Sequence, residues 1–254
     1  MSETIDTAKW QVHDIWAAFS LLSRLKVPVD HARSGERGAA TAWAFPLVGL
    51  ILGGAAGIMA VFAGWLGLPA GLVAVVALAF LALTTGGMHE DGLADFADSL
   101  GGHSTEQRLN IMKDSRIGAY GVIALVIAML ARWSSITELS GWALILMLAA
   151  VGAASRAAMV IMMYVMPSAR NDGLSAAVGK PSIETVWTAV AIALTACVLL
   201  TGLSGFILFG VSIASAMPVY RFAMRSIGGQ TGDVLGAGQQ FAEITGLAAA
   251  LVLL

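Results

Sequence analysis

Long apolar runs separated by short polar segments make up most of the chain. A helix that crosses the hydrocarbon core of a bilayer needs about 20 mostly apolar residues. Runs of about that length predict seven spans, at residues 43–65, 70–88, 118–138, 141–166, 183–203, 205–225 and 231–254. We therefore expect an all-α, polytopic integral membrane protein that forms a single membrane-embedded domain over residues 1–254.

Composition supports the same class of protein. Hydrophobic residues make up 58% of the chain and charged residues 12%, whereas soluble domains contain about 45–50% apolar and about 25% charged residues. The formal net charge of −2 offers no basic excess for nucleic acid, so membrane lipid is the expected surrounding and nucleic acid is not an expected partner. The single cysteine, Cys197, excludes an internal disulfide and a thiolate metal cluster.

The distribution of basic residues predicts an orientation. Twelve of the 14 Lys and Arg residues fall within residues 1–42, 108–116, 170–180 and 221–225, which lie on one side of a seven-span topology. Because Lys and Arg accumulate in cytoplasmic loops, we place this side in the cytoplasm and the C-terminus outside. Residues 1–42 then form a cytoplasmic N-terminal segment.

Apolar residues recur at helical spacing ahead of the first span, at Val12, Ile15, Trp16, Phe19 and Leu22. This pattern predicts an amphipathic helix. Two interpretations remain open, because such a helix either lies on the cytoplasmic surface of the membrane or packs against the protein's own loops.

Carboxylates are concentrated directly after the second predicted span. Asp91, Asp95 and Asp98 fall within about 60° of one another on a helix and so share one face. Like charges at this spacing repel, and a divalent cation with oxygen ligands, Mg²⁺, is the expected compensation. The alternative is a solvated acidic helix end. Glu90 lies off this face and is expected to face water, while His89 either bridges metal and substrate or has a structural role.

Asp114 and Arg116 follow on the same predicted side of the membrane. Asp114 is a candidate metal ligand, and Arg116 is a candidate for holding a phosphate group through two parallel hydrogen bonds. The alternative is a salt bridge between them at the membrane boundary.

A glycine-rich turn at residues 228–233 precedes the last span. Backbone N–H groups at the start of a helix bind anions, so Gly229, Gln230 and Thr231 are candidate substrate-binding residues. Asp233, in the same turn, is a candidate metal ligand.

Four further charged residues lie on predicted helices. Arg221 and Arg225 are four residues apart, so they project from one side of the sixth helix and either contact lipid headgroups or hold a nucleotide diphosphate. Arg156 and Glu243 lie inside the predicted hydrocarbon region, where an unpaired charge is costly. We expect them to form a buried ion pair, with Arg156 facing a substrate cavity as the alternative.

Three separated motifs carry a family resemblance, at residues 89–98, 114–118 and 228–237, and residues 45–49 and 164–180 extend it over nearly the whole chain. The chain resembles the cobalamin synthase family, the adenosylcobinamide-GDP ribazoletransferases of the bacterial inner membrane. The resemblance implies a magnesium-dependent transferase that joins adenosylcobinamide-GDP to α-ribazole or α-ribazole 5′-phosphate and releases GMP. It leaves open a homo-oligomer or contact with other corrinoid enzymes.

On this basis the site residues take expected roles. The metal ligands would come from Asp91, Asp95, Asp98, Asp114 and Asp233, and the phosphate oxygens would meet Arg116, Arg221 and Arg225. Asp95 or Asp98 is the expected base.

Two rival functions remain. A CDP-alcohol phosphotransferase-like or prenyl transferase also uses aspartates at a membrane boundary, although with other spacings. A transporter for corrinoid precursors would carry its charges near the bilayer midplane.

Overall fold

The computed structural model describes residues 9–253, and its regular elements are helices. They are α1 (Val12–Leu22), α2 (His31–Arg37), α3 (Phe45–Trp65), α4 (Ala70–Thr85), α5 (Met88–Asp98), α6 (Thr105–Ile111), α7 (Ala119–Thr137), α8 (Gly141–Val165), α9 (Leu174–Val178), α10 (Ile183–Thr201), α11 (Ser204–Ser215), α12 (Met217–Ser226) and α13 (Gly232–Leu253). Two 3₁₀ helices, Gly38–Ala44 and Ser99–Gly101, lead into α3 and follow α5. The predicted all-α, polytopic class is confirmed.

By length and composition, five helices among the described residues can cross a membrane, and six can if the bent pair α4 and α5 counts as one span. The five are His31–Trp65, Ala119–Thr137, Gly141–Val165, Ile183–Thr201 and Ser204–Ser226. The chain is therefore a multi-pass membrane protein. The count of seven stays a prediction, because α13 has 22 residues but carries Gln239, Gln240 and Glu243 in its middle.

Helix α8 lies at the centre of the bundle, packed against α3, α10, α11 and α13. Glycines of α3 allow backbone contact with it, because a methyl group on Gly49 or Gly53 would overlap a backbone carbonyl of α8. Small residues permit this kind of approach between helices in membranes. The two helices consequently meet backbone to backbone over several turns.

The chain turns sharply between α4 and α5. Gly86 and Gly87 both adopt left-handed backbone conformations, with φ of 70° and 68°, which glycine tolerates without steric cost. The two helices are bent by 88° relative to each other. The turn directs α5 against α7 and α13, and this packing positions the acidic residues of α5.

The predicted N-terminal helix is present as α1, and it packs on the 3₁₀ helix Gly38–Ala44 and on α3. Phe19 and Leu22 are buried there, while Val12 is 72% exposed and Trp16 37% exposed. The C-terminal half of the apolar stripe thus packs on the protein itself. Contact of Val12 and Trp16 with lipid stays a prediction.

Loops that carry five of the twelve predicted cytoplasmic Lys and Arg residues meet at one end of the bundle. Thr105 Oγ1 donates a hydrogen bond to the carbonyl oxygen of Ser226 at 2.9 Å, and Lys113 Nζ lies 2.6 Å from Asp172 Oδ2. Residues 99–118, 166–182 and 227–231 are called the loop end below. The candidate site opens at this end.

Candidate active site

Close packing of α5 on α13 brings acidic residues from two distant motifs together. A Cβ atom on Gly92 would lie 3.1 Å from the Cα atom of Asp233, so only glycine permits this approach without displacing α13. Asp95 therefore lies within electrostatic range of Asp91, Asp98 and Asp233. The structure joins the first and third sequence motifs in one acidic site.

Two cavities border these carboxylates. The larger, of about 860 Å³, is lined by Asp91 and Asp95 together with Arg24, Lys113 and Asp114. It is called the open cleft below.

The smaller cavity, of about 170 Å³, is lined by Asp91, His89, Arg170 and Asp233 and by apolar side chains. Asp91 and Met88 border both cavities, so Asp91 lies where the two spaces meet.

Asp98 makes contacts of a different kind. Its two carboxylate oxygens accept hydrogen bonds from the backbone N–H groups of Gly118 at 2.7 Å and Gly121 at 2.8 Å. These N–H groups belong to the first turn of α7, where intrahelical partners are missing. Asp98 of α5 thus caps α7, and its role as a metal ligand stays a prediction.

The acidic site offers oxygen donors that suit Mg²⁺. Asp91, Asp95 and Asp233 offer carboxylate oxygens, the ligands that Mg²⁺ prefers. Within residues 9–253 no three acidic, histidine or cysteine side chains are gathered closely enough to form a complete metal centre. Because Mg²⁺ usually takes one or two protein carboxylates and fills its other positions with water and substrate phosphate, the residues fit an ion bound together with substrate.

The turn before α13 is held by the loop that follows α8. The backbone N–H of Gln230 donates to the Pro167 carbonyl oxygen at 2.8 Å, and the N–H of Ala169 donates back to the Gln230 carbonyl oxygen at 2.9 Å. The Gln230 side chain accepts a hydrogen bond from Ser175 Oγ. The N–H of Gln230 therefore already has a hydrogen-bond partner within the protein. The contact of Gln230 with substrate stays a prediction.

The neighbouring residues of this turn are also fixed by contacts within the protein. A methyl group on Gly229 would overlap the Pro167 carbonyl oxygen, so the turn requires glycine there. Thr231 Oγ1 accepts a hydrogen bond from the N–H of Val234 at 3.3 Å and contacts Asp233 Oδ2 at 3.1 Å. Thr231 thus caps α13 and fixes the position of Asp233.

Arg170 is a site residue that the sequence analysis missed. Its Nη2 lies 3.8 Å from Asp233 Oδ2, and its Nε lies 3.6 Å from Asp172 Oδ1. Nε and Nη1 are buried without a hydrogen-bond partner. Its side chain lines the small cavity, so its guanidinium group has free donors beside the acidic site. The signal in the sequence was its place within residues 164–180, a stretch that carries part of the family resemblance and whose basic residues served to predict orientation.

Asp114 and Arg116 form the salt bridge that was the alternative interpretation, with Arg116 Nη2 2.6 Å from Asp114 Oδ2. Hydrogen bonds from Arg116 hold the pKa of Asp114 below its usual range. Asp114 lines the open cleft, whereas the side chain of Arg116 is 87% exposed. Arg221 and Arg225 are exposed on α12 and line neither of the two cavities beside the carboxylates.

A hydrogen bond from Lys113 lowers the pKa of Asp172, on the loop that carries Arg170. This pair links residues 99–118 to residues 166–182 across the mouth of the site. This ion pair thereby joins two segments of the loop end that are distant in sequence.

A buried ionic network lies behind the acidic face of α5. The predicted pair is present, with Arg156 Nη1 2.8 Å from Glu243 Oε2. Arg132 Nη2 lies 2.7 Å from Glu243 Oε1, and Arg132 Nη1 lies 2.7 Å from Glu90 Oε1. Gln240 contacts both Arg132 and Glu90 at 3.3 Å. The network contains two arginines and two glutamates, so its charges balance.

The expectation that Glu90 faces water is wrong, because Glu90 is only 9% exposed. The physical reason is the turn at Gly86 and Gly87, which sets α5 between α7 and α13 and leaves two of its faces covered. His89, next to it, is 2% exposed and lines the small cavity, and its Nε2 has no hydrogen-bond partner among the described residues.

Comparison with known proteins identifies relatives that align with nearly the whole chain. The profile of the cobalamin-5-phosphate synthase family matches residues 14–251. An adenosylcobinamide-GDP ribazoletransferase of Bradyrhizobium diazoefficiens is 41% identical over 243 residues, covering 94% of this chain and 93% of the relative. A protein of the same name from Mesorhizobium japonicum is 39% identical and covers 95% of this chain and 93% of the relative. Another, from Allorhizobium ampelinum, is 38% identical and covers 93% of this chain and 95% of the relative.

No solved structure matches the chain. The family match extends over most of the chain, and the relatives align along nearly their full length. The chain therefore belongs to the cobalamin-5-phosphate synthase family.

Proposed function

We propose that the chain joins adenosylcobinamide-GDP to α-ribazole or α-ribazole 5′-phosphate and releases GMP in a magnesium-dependent reaction. The observation that carries this proposal is the position of Asp91 between an open cleft and a small cavity, with Asp95 and Asp233 beside it. Two cavities that meet at carboxylates suit a reaction between two substrates, one of which carries a diphosphate. The names of the relatives supply the identity of these substrates.

In this mechanism the chain positions the reactants and balances charge. A hydroxyl group of the ribazole attacks the phosphorus atom bonded to the cobinamide, the bond from that phosphorus to the bridging oxygen breaks, and GMP leaves. Phosphoryl transfer of this kind depends mainly on alignment and electrostatic stabilisation. Bound magnesium would supply neutralisation of the diphosphate charge.

Individual residues then take distinct roles. Asp91 and Asp233 would hold the metal ion, and Arg170 would donate its free N–H groups to phosphate oxygens. Asp95 would accept the proton of the attacking hydroxyl, since both oxygens of Asp98 already accept hydrogen bonds from α7. Asp98 would act as a positioning residue that joins α5 to α7.

The direct test is an assay of the purified protein in detergent with adenosylcobinamide-GDP, α-ribazole 5′-phosphate and Mg²⁺. We expect GMP and the joined corrinoid to appear in equal amounts, and we expect EDTA to abolish both until Mg²⁺ is restored in excess. A preparation that omits the ribazole is the control for simple hydrolysis. GMP release without the joined product would reject the transfer reaction, and full activity in EDTA would reject the metal.

We also propose that the loop end faces the cytoplasm in the bacterial inner membrane. The support is that the basic loops meet at this end, and basic loops remain in the cytoplasm. A reporter inserted within residues 99–110 should be cytoplasmic, and one fused after Leu254 should be periplasmic. The reverse pattern would contradict both the topology and the placement of the site.

A further inference from the structure

The small cavity has walls that differ sharply in polarity. Phe45 of α3 and Met159 and Met163 of α8 line it, and the two methionines are four residues apart on one face of their helix. Leu22 of α1 adds a further buried apolar side chain. This part of the cavity offers no partner for a charged or strongly polar group, so its occupant there must be uncharged and largely apolar.

The charged lining consists of Asp91, Arg170 and Asp233, which belong to the acidic site, and Ser175 also lines the cavity but already donates its hydroxyl hydrogen to Gln230. His89 adds a buried imidazole whose Nε2 lacks a partner. A neutral imidazole has one N–H donor and one acceptor nitrogen, so it can form one hydrogen bond to a ring nitrogen of an otherwise apolar ligand. A nucleoside has matching parts, with a flat base at one end and sugar hydroxyls at the other.

We propose that this cavity binds the uncharged heteroaromatic base of the ribazole substrate, an inference that rests on the proposed function. The base lies against Met159, Met163 and Phe45, where methionine sulfur atoms make favourable contacts with aromatic rings. His89 forms a hydrogen bond to the free ring nitrogen of the base. The ribose then emerges at Asp91, where the open cleft holds the diphosphate of the other substrate.

Two considerations favour the ribazole base over the guanine of the GDP moiety. Guanine carries several donors and acceptors around its edge, and walls of methionine, phenylalanine and leucine would leave them unpaired. The corrinoid substrate is also much larger than 170 Å³, whereas the open cleft provides about 860 Å³. The small cavity therefore suits the smaller, less polar reactant.

The test measures base specificity in cavity variants. Met159→Phe and Met163→Phe narrow the cavity, and Met59→Phe, on the exposed face of α3, is the matched control. A hydrophobic cavity discriminates between ligands that differ by one methylene group by about 10-fold to 200-fold. We expect the narrowing variants to raise KM for the riboside of 5,6-dimethylbenzimidazole by about 10-fold or more relative to the benzimidazole riboside, with KM for adenosylcobinamide-GDP unchanged.

Variants that widen the cavity give a second test, which does not depend on whether the fold tolerates a larger side chain. Met159→Ala and Met163→Ala should accept a larger tricyclic base that the parent rejects. His89→Leu should raise KM for the benzimidazole riboside but not for an indole riboside, which lacks the ring nitrogen. His89→Gln, which keeps a donor, should recover part of the difference.

The outcomes separate this inference from the proposed function. An active parent whose cavity variants keep parental base specificity rejects the cavity assignment alone. A rise in KM for adenosylcobinamide-GDP instead of the ribazole assigns the cavity to the nucleotide and also overturns the inference. A parent that releases no GMP from the two substrates rejects the proposed function, and the inference fails with it.

Discussion

Asp91→Asn should lower the rate of GMP release by about two orders of magnitude or more, which corresponds to about 3 kcal/mol of lost transition-state stabilisation. Asp91 is the carboxylate that borders both cavities, so it is the best placed to hold an ion between the two substrates. Removing one of several like charges also relieves repulsion with Asp95. Thermal unfolding in metal-free detergent should therefore show a stability equal to that of the parent or slightly higher.

Two other aspartates serve as controls for this result. Asp98→Asn should lower the free energy of unfolding by about 1.5–3 kcal/mol, because its charged oxygens hold the first turn of α7. Asp114→Asn should have a mild effect on both rate and stability, since its ion pair with Arg116 is exposed. Near-parental GMP release by Asp91→Asn at saturating Mg²⁺ would remove Asp91 from the reaction centre.

Glu90→Gln should destabilise the folded protein by about 3–5 kcal/mol, the usual cost of leaving a buried charge without its partner. The substitution removes one of two negative charges that balance Arg132 and Arg156, and Arg132 is only 2% exposed. The measurement is the unfolding midpoint in detergent, compared with that of the parent. The sequence pattern placed Glu90 in water and did not indicate that it pairs with Arg132.

The double variant Glu90→Gln/Arg132→Gln is the matched control for this prediction. It removes one charge of each sign and leaves the pair of Arg156 with Glu243 intact. We expect it to be more stable than Glu90→Gln alone, with a coupling energy that a double-mutant cycle measures. If Glu90→Gln is as stable as the parent, the folded protein does not require equal numbers of buried positive and negative charges in this network.

Features that depend on local periodicity were predicted well. Helices lie within the ranges that apolar runs indicated, while the number of spans stays a prediction, and the resemblance to the cobalamin synthase family is confirmed. The ion pair of Arg156 with Glu243 followed from the cost of an isolated charge in hydrocarbon. These inferences need only the chain's own pattern and the properties of the bilayer.

Features that depend on how helices meet were not accessible. The glycine pair Gly86 and Gly87 is visible in the sequence, but the angle of 88° and the burial of Glu90 against Arg132 are not. Arg170 acquires its place beside Asp233 only because residues 167–169 pair with the turn before α13. The shared face of Asp91, Asp95 and Asp98 was a sound geometric inference for one helix, but it could not show that α7 would engage Asp98.

The backbone contact between α3 and α8 restricts how the site can change during evolution. Positions such as Gly49 and Gly152 have no room for any side chain, so the spacing of these two helices cannot be adjusted by gradual substitution. Met159 and Met163 lie on the same rigid helix but face a cavity, where side-chain volume is free to vary. A lineage that changes its preferred substrate would therefore be expected to alter the residues lining the cavity while the frame behind them stays constant.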